Sequence, residues 1–169
     1  MTGLKIRPAT EDDVPVILAL IRGLAEYERA RSEDVPVDEA TLRGSLFGPK
    51  PQAEVLIAWH GTEAAGFAVF FHNYSTWRGC HGLYLEDLFV RPEMRGRGYG
   101  RALLETLARI ALERGCVRME WMVLDWNHPA INFYRRMGAE PLNEWTRFRL
   151  TGPALAHLAR APSRSQQAD

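Results

Sequence analysis

Apolar positions in this chain switch between helical and strand-like spacing, and the switches mark out its elements. Leu4–Pro8 reads as a first strand. Ala9-Thr-Glu-Asp-Asp13 follows, with Thr10 as an N-cap and acids in the first turn, and Val14, Ile17, Leu18, Ile21 and Leu24 then recur at helical spacing. The pattern predicts a helix from Thr10 through about Arg29. Ser32–Pro36 is a linker, and Asp38–Leu46 predicts a second, short helix ended by Gly48-Pro-Lys-Pro51. Glu54–Trp59 and Ala65–Phe71 form a hairpin around His60-Gly61-Thr62-Glu63, and Gly82–Val90 is a further strand. Leu103, Leu104, Leu107, Ala108 and Ala111 make one buried stripe on a long helix ending near Arg114. A strand at Val117–Val123, a helix at Pro129–Met137 stopped by Gly138, a strand at Asn143–Leu150 and a helix at Pro153–Arg160 complete the order. Residues 161–169 lack an apolar run and read as a flexible tail. With no repeat and no second core, residues 1–160 are expected to form a single α/β domain.

The segment between Val90 and Leu103 changes the picture most. An apolar strand runs through a proline-marked turn into Arg95-Gly-Arg-Gly-Tyr-Gly-Arg101, which opens the long helix. Glycines at 96, 98 and 100 leave backbone N–H groups uncovered at a helix N-terminus, where the helix dipole adds positive potential. Such a turn suits a phosphate or diphosphate. A nucleoside-triphosphate loop would need Lys-Ser/Thr after the last glycine, and Arg101-Ala102 stands there instead. The spacing also misses the G-x-G-x-x-G dinucleotide fingerprint.

Composition narrows the partners. The 169 residues carry 21 basic and 21 acidic side chains, so no general basic surface favours nucleic acid. No apolar run approaches the roughly 18–20 residues of a membrane-spanning helix, and no signal-type stretch opens the chain. Cys80 and Cys116 form no CxxC and no metal-ligand spacing, so the expectation is free thiols in a reducing, cytoplasmic setting without a metal.

Arg95-x-x-Gly98-x-Gly100 resembles the diphosphate-binding signature of the GCN5-related N-acetyltransferases (GNAT). Ile6-Arg-Pro-Ala-Thr10, Leu24-Ala-Glu-Tyr-Glu28, Tyr84-Leu-Glu-Asp-Leu-Phe-Val90, Trp126-Asn127 and Ile131-Asn-Phe-Tyr-Arg-Arg-Met-Gly-Ala139 resemble its spermidine/spermine (diamine) and thialysine acetyltransferase branch. The resemblance implies a mixed, half-open sheet of six to seven strands with about four to five helices. Its central parallel strands, near Leu85–Val90 and Met119–Val123, are expected to splay so that the pantetheine arm of acetyl-CoA pairs with exposed backbone. It implies acetyl-CoA as co-substrate, a small-molecule amine as acceptor and a homodimer.

The same resemblance assigns candidate residues. Leu88, Phe89 and Val90 would offer main-chain groups to the arm, the Leu88 N–H polarising the thioester carbonyl. Arg95, Gly96, Arg97, Gly98, Tyr99, Gly100 and Arg101 would hold the diphosphate, with Asn127, Asn132 and Tyr134 as further cofactor contacts. Tyr134 would protonate the departing thiolate. By periodicity alone it shares a helix face with Ile131 and Met137 and reads as core; the resemblance reverses that reading. Glu86 would be the base that deprotonates the acceptor ammonium. As neighbours on a strand, Glu86 and Asp87 should point to opposite faces. Tyr27, Glu28, Glu86, Asp125, Trp126 and Asn127 would surround the cationic acceptor, an aromatic face and carboxylates suiting an alkylammonium.

One departure bears on specificity. Polyamine-acetylating members place an acid before Trp77, where this chain has Ser75-Thr76. That leaves open a diamine, a polyamine or a lysine- or thialysine-like amino acid. Readings from other classes are a non-catalytic acyl-CoA sensor, which would not need Tyr134 and Glu86 together, and an acetyltransferase of protein lysines or N-termini.

Overall fold

A computed structural model describes residues Gly3–Arg160. They fall into two compact units, one ending at Asn127 and one beginning at His128.

The first unit is built on a sheet of five strands in the order β1-β2-β3-β4-β5: β1 (Leu4–Pro8), β2 (Glu54–His60), β3 (Glu63–Ser75), β4 (Cys80–Val90) and β5 (Met119–Trp121). The first four pair antiparallel, and β5 runs parallel to β4. Helices α1 (Val14–Tyr27), α2 (Glu39–Phe47) and α3 (Tyr99–Glu113) connect them.

Strand alternation sorts the core into two faces. Val55, Ile57, Phe67 and Phe89 join Val14, Ile17, Leu18, Leu20 and Leu24 of α1 in one cluster. Leu56 and Ala58, buried as well, point the opposite way, and α3 packs on the sheet with Leu103, Leu104, Leu107 and Ala111 buried. Each fully buried Leu, Ile or Phe contributes about 1.5–3 kcal/mol. Gly23 lets α1 approach β4: a Cβ there would lie 3.1 Å from the Phe89 ring.

Thr10 is the N-cap at the entry to α1, as expected, in a capping box with Asp13. Glu11–Asp13 forms a single 3-10 turn, and Asp13 is the organising residue. Its carboxylate accepts from the Thr10 N–H at 2.7 Å, from Thr10 Oγ1 at 3.0 Å, and from Arg7 through both terminal nitrogens, at 2.6 and 2.8 Å. Arg7 holds that carboxyl well below the usual range. The helix stops at Tyr27 because Glu28 caps it and Arg29 takes the left-handed φ of 61°.

Two geometric details of β4 shape the surface at its C-terminal end. Its ladder with β5 covers only Leu83–Leu85, opposite Met119–Trp121, while β4 itself continues to Val90. Against β3, Val69 faces Asp87 and Phe70 faces Leu85, so Glu86 is the extra residue of a β-bulge.

In the second unit α4 (His128–Arg136) and α5 (Gly152–Arg160) are the regular elements. Against the expected six to seven strands, five are present among the described residues. The missing strand is Asn143–Leu150, whose alternation of bulky and charged residues mimics a strand. A strand exists only through a neighbour's hydrogen bonds, and this segment joins no ladder among the described residues; Trp145 and Phe148 are 68% and 90% exposed. The strand expected at Val117–Val123 is shortened to Met119–Trp121, the stretch whose register with β4 is regular. The expected tail, residues 161–169, lies outside the described residues.

Candidate active site

The end of β4 presents backbone on one edge that no neighbouring strand pairs with among the described residues. Arg91 N–H donates to Ala65 O of the β3 side at 2.9 Å. Alternation therefore directs Phe89 main-chain groups to β3 and those of Leu88 and Val90 to the opposite edge, beyond the last β5 pair. Phe89 buries its side chain under Gly23. Of the three residues expected to offer backbone, Leu88 and Val90 have theirs directed outward.

The chain then turns through Pro92–Met94 into the glycine loop. Gly96 and Gly98 adopt φ of 75° and 86°, the left-handed region that residues with a Cβ enter at a cost. Gly98 caps α3, whose first intrahelical hydrogen bond runs from Ala102 N–H to Gly98 O at 3.0 Å. The N–H groups of Tyr99, Gly100 and Arg101 precede that bond and face outward from the helix start. Buried Tyr99 anchors the turn through an Oη–Nδ1 hydrogen bond of 2.8 Å with His60. Its contribution to a ligand is thus its amide, not its ring. Arg95 braces the loop, donating from Nε to Val90 O at 3.0 Å with its guanidinium 4.2 Å from the Tyr27 ring centroid. Arg97 is exposed beside Met94, and Arg101 pairs with Glu105 one turn along α3.

Residues expected at the acceptor site converge although they lie far apart in sequence. Tyr27 Oη donates to Asn127 Oδ1 at 3.0 Å, and the Tyr27 and Trp126 rings lie 6.1 Å apart. Arg29 sits over Trp126. Asn127 is buried, whereas Trp126 is 40% exposed and Asp125 is exposed. A cavity of about 490 Å³ lies beside Tyr27, lined by Gly23, Glu26, Phe89, Arg91 and Glu93 among others.

Three carboxyls, at the end of α1 and on β4, lie within electrostatic reach of one another. Burial raises the Glu28 pKa. Burial, then the charges of Glu86 and Glu28, push Asp87 up to about 6. The bulge breaks simple alternation: Glu86 is exposed and Asp87 half-buried, yet the two remain within electrostatic reach. Sequence reasoning singles out Glu86 and passes over Asp87. The available signal is an acid pair inside an otherwise apolar strand, where at least one carboxyl must be desolvated. A group titrating near 6 beside two other carboxylates is suited to receive a cation and its proton.

Asn132 and Tyr134 lie on α4 of the second unit, Asn132 exposed and Tyr134 half-buried with its ring centroid 5.3 Å from that of Phe133.

Residues 19–139 match the acetyltransferase (GNAT) family. The thialysine N-epsilon-acetyltransferase of Bos taurus is 39% identical over 170 residues, covering 94% of this chain and 99% of its own. The L-ornithine N5-acetyltransferase of Arabidopsis thaliana is 33% identical, covering 89% and 86%. Among solved structures, an integron cassette protein from the mobile metagenome of V. cholerae has the same fold, with a TM-score of 0.81 at 25% identity over 95% of this chain and 100% of that one. The thialysine enzyme stands in the branch that the Tyr84–Val90 and Ile131–Ala139 motifs indicate. By its family and its relatives, this chain belongs to the GNAT acetyltransferases and is an N-acetyltransferase.

Proposed function

We propose that the enzyme transfers an acetyl group from acetyl-CoA directly to a small primary amine in a ternary complex. The class of acceptor is a diamine, a polyamine or a lysine- or thialysine-like amino acid. The observation that carries this reading is the acidic cluster of Asp87, Glu86 and Glu28, directly before an outward-facing backbone edge that leads into a bare-amide turn. The first feature fits a cationic acceptor and the second a phosphate-bearing donor. The names of the relatives support an amine acceptor of this size.

The residues fit the donor: Gly96 and Gly98 free the amides of Tyr99, Gly100 and Arg101 for a diphosphate, with Arg97 and Arg101 as flanking charges. Leu88 and Val90 pair with the pantetheine arm as an added strand would. Bound acetyl-CoA supplies an acetyl thioester open to attack by a neutral amine. The Leu88 N–H is the donor to the thioester carbonyl, and one such backbone donor is worth on the order of 3 kcal/mol. Glu28, Trp126 and Tyr27, with Asn127 holding the Tyr27 hydroxyl, enclose the alkylammonium. Glu86 accepts the ammonium proton, through water, and Asp87 sets the local charge against which that proton leaves. Low local dielectric also depresses the amine pKa, which a carboxylate base requires. Tyr134 Oη–H holds the proton that the departing thiolate takes, and Asn132 orients the same end.

The test is thiol release and product mass from purified protein, acetyl-CoA and a panel of thialysine, lysine, ornithine, diamines, polyamines and aminoglycosides. Stoichiometric acetylation of one small amine class is the expected result. Acetyl-CoA binding without thiol release for any amine overturns it in favour of a sensor, and acetylation confined to peptides would make the acceptor a protein.

A further inference from the structure

A cluster far along the sheet from the glycine loop has no part in acetyl transfer. His72 lies on β3 and His81 on β4, at diagonal register positions: His81 faces Tyr74, and Leu83 faces His72. Their rings meet edge to face at 5.1 Å. Cys116 reaches them from the turn between α3 and β5. One ligand atom from each of His72, His81 and Cys116 lies within 4.8 Å of the others.

Each arm of this cluster is fixed by main-chain bonds. Cys116 N–H donates to Ala111 O at 2.8 Å, and Val117 N–H donates to His81 O at 3.3 Å. His81 Nε2 lies 2.9 Å from Arg114 O, and a carbonyl only accepts, so that nitrogen carries the hydrogen. Nδ1 then keeps the lone pair, the arrangement in which a backbone carbonyl orients a metal-binding imidazole. The nearby Arg114 guanidinium is itself clamped in a two-pronged pair with Glu54, which offsets its repulsion of a cation.

We propose that His72, His81 and Cys116 bind a borderline-soft divalent transition metal ion, zinc foremost, tying the β3–β4 hairpin to the α3–β5 turn. Two imidazoles and a thiolate are the donor set zinc prefers, with water in the fourth position. Tetrahedral zinc, at about 2.0–2.1 Å to nitrogen and 2.3 Å to sulfur, sets ligand atoms about 3.3–3.6 Å apart. The three arms close by about an ångström to reach it. On coordination Cys116 Sγ loses its proton to solvent as the metal–sulfur bond forms. The residues stand 9 and 35 positions apart in the chain, which hides them from any spacing motif.

The experiment is a titration of tag-free, reduced, chelator-stripped protein with cobalt(II) and then zinc(II). One equivalent of cobalt should produce thiolate-to-metal charge transfer and the intense visible absorption of a tetrahedral site, both abolished by one equivalent of zinc. His72→Ala and Cys116→Ser should weaken zinc binding by more than about 100-fold, beyond the usual loss for an outer-sphere change. Cys80→Ser should leave the spectrum intact. A wild-type cobalt spectrum without the thiolate band, or no binding at one equivalent, overturns the proposal irrespective of how the variants fold. Loss of the band with Cys80 rather than Cys116 overturns the ligand set.

Discussion

Asp87 titrates about two pH units above an ordinary aspartate, and the direction has consequences for both rate and stability. A carboxyl whose folded pKa is raised stabilises the fold below its unfolded value near 3.9, and that contribution is lost as pH climbs through about 6. Asp87→Asn should therefore melt higher than wild type at pH 7–8, by roughly 1–3 kcal/mol, with the difference vanishing below about pH 4. Calorimetry across that range checks it; a variant less stable at pH 8 would contradict the desolvated environment. The wild type should show a rise of kcat/KM through about pH 6, and the same substitution should remove it. Tyr134→Phe tests the proton donor: kcat should fall about 100-fold or more while acetyl-CoA affinity changes little. An unchanged kcat would move the proton elsewhere. Glu86 was legible in the chain through its motif, and Asp87 was not, because the bulge that half-buries it depends on β3.

At the scale of elements, the β4–loop–α3 unit was the most legible part of the sequence. Its alternation, its proline and its glycines are all local signals, and local signals suffice where an element is long and its turn demands glycine. The failures are where a neighbour decides. Asn143–Leu150 carries a strand pattern and finds no ladder among the described residues, and the Thr10 cap, present as expected, is reinforced by Asp13, whose partner Arg7 sits on β1. Asp13→Asn should cost about 1–3 kcal/mol, because it strands a half-buried guanidinium and weakens the Thr10 bonds. Here the pKa is depressed, so the wild-type advantage is present above about pH 4 and shrinks as pH falls below it. Paired melts of wild type and variant at pH 7 and pH 3 measure it; an equal gap at both would remove the ion pair as the cause. The contact of Tyr27 with Asn127, 100 positions away, could be anticipated only through the family's shared acceptor residues.

For the whole molecule, basic and acidic side chains balance, and no helix among the described residues is long and apolar enough to cross a membrane. Donor binding energy enters the fold through the proposed site at the end of β4. Acetyl-CoA at 100 times its dissociation constant should raise stability by about 2.7 kcal/mol, seen as a concentration-dependent melting temperature. The family's homodimer carries over as an expectation, and light scattering giving the mass of two chains would support it. The proposed donor site depends on the left-handed turn at Gly98, which frees the amides that would hold the diphosphate. Calorimetric titration of acetyl-CoA into wild type and Gly98→Val tests it most directly, since a branched side chain at φ of 86° both strains the turn and covers those amides. Saturable binding to wild type is expected, with a loss exceeding about tenfold in the variant, which keeps a cooperative melt. Equal affinity in the two proteins, or no binding to wild type, would contradict it.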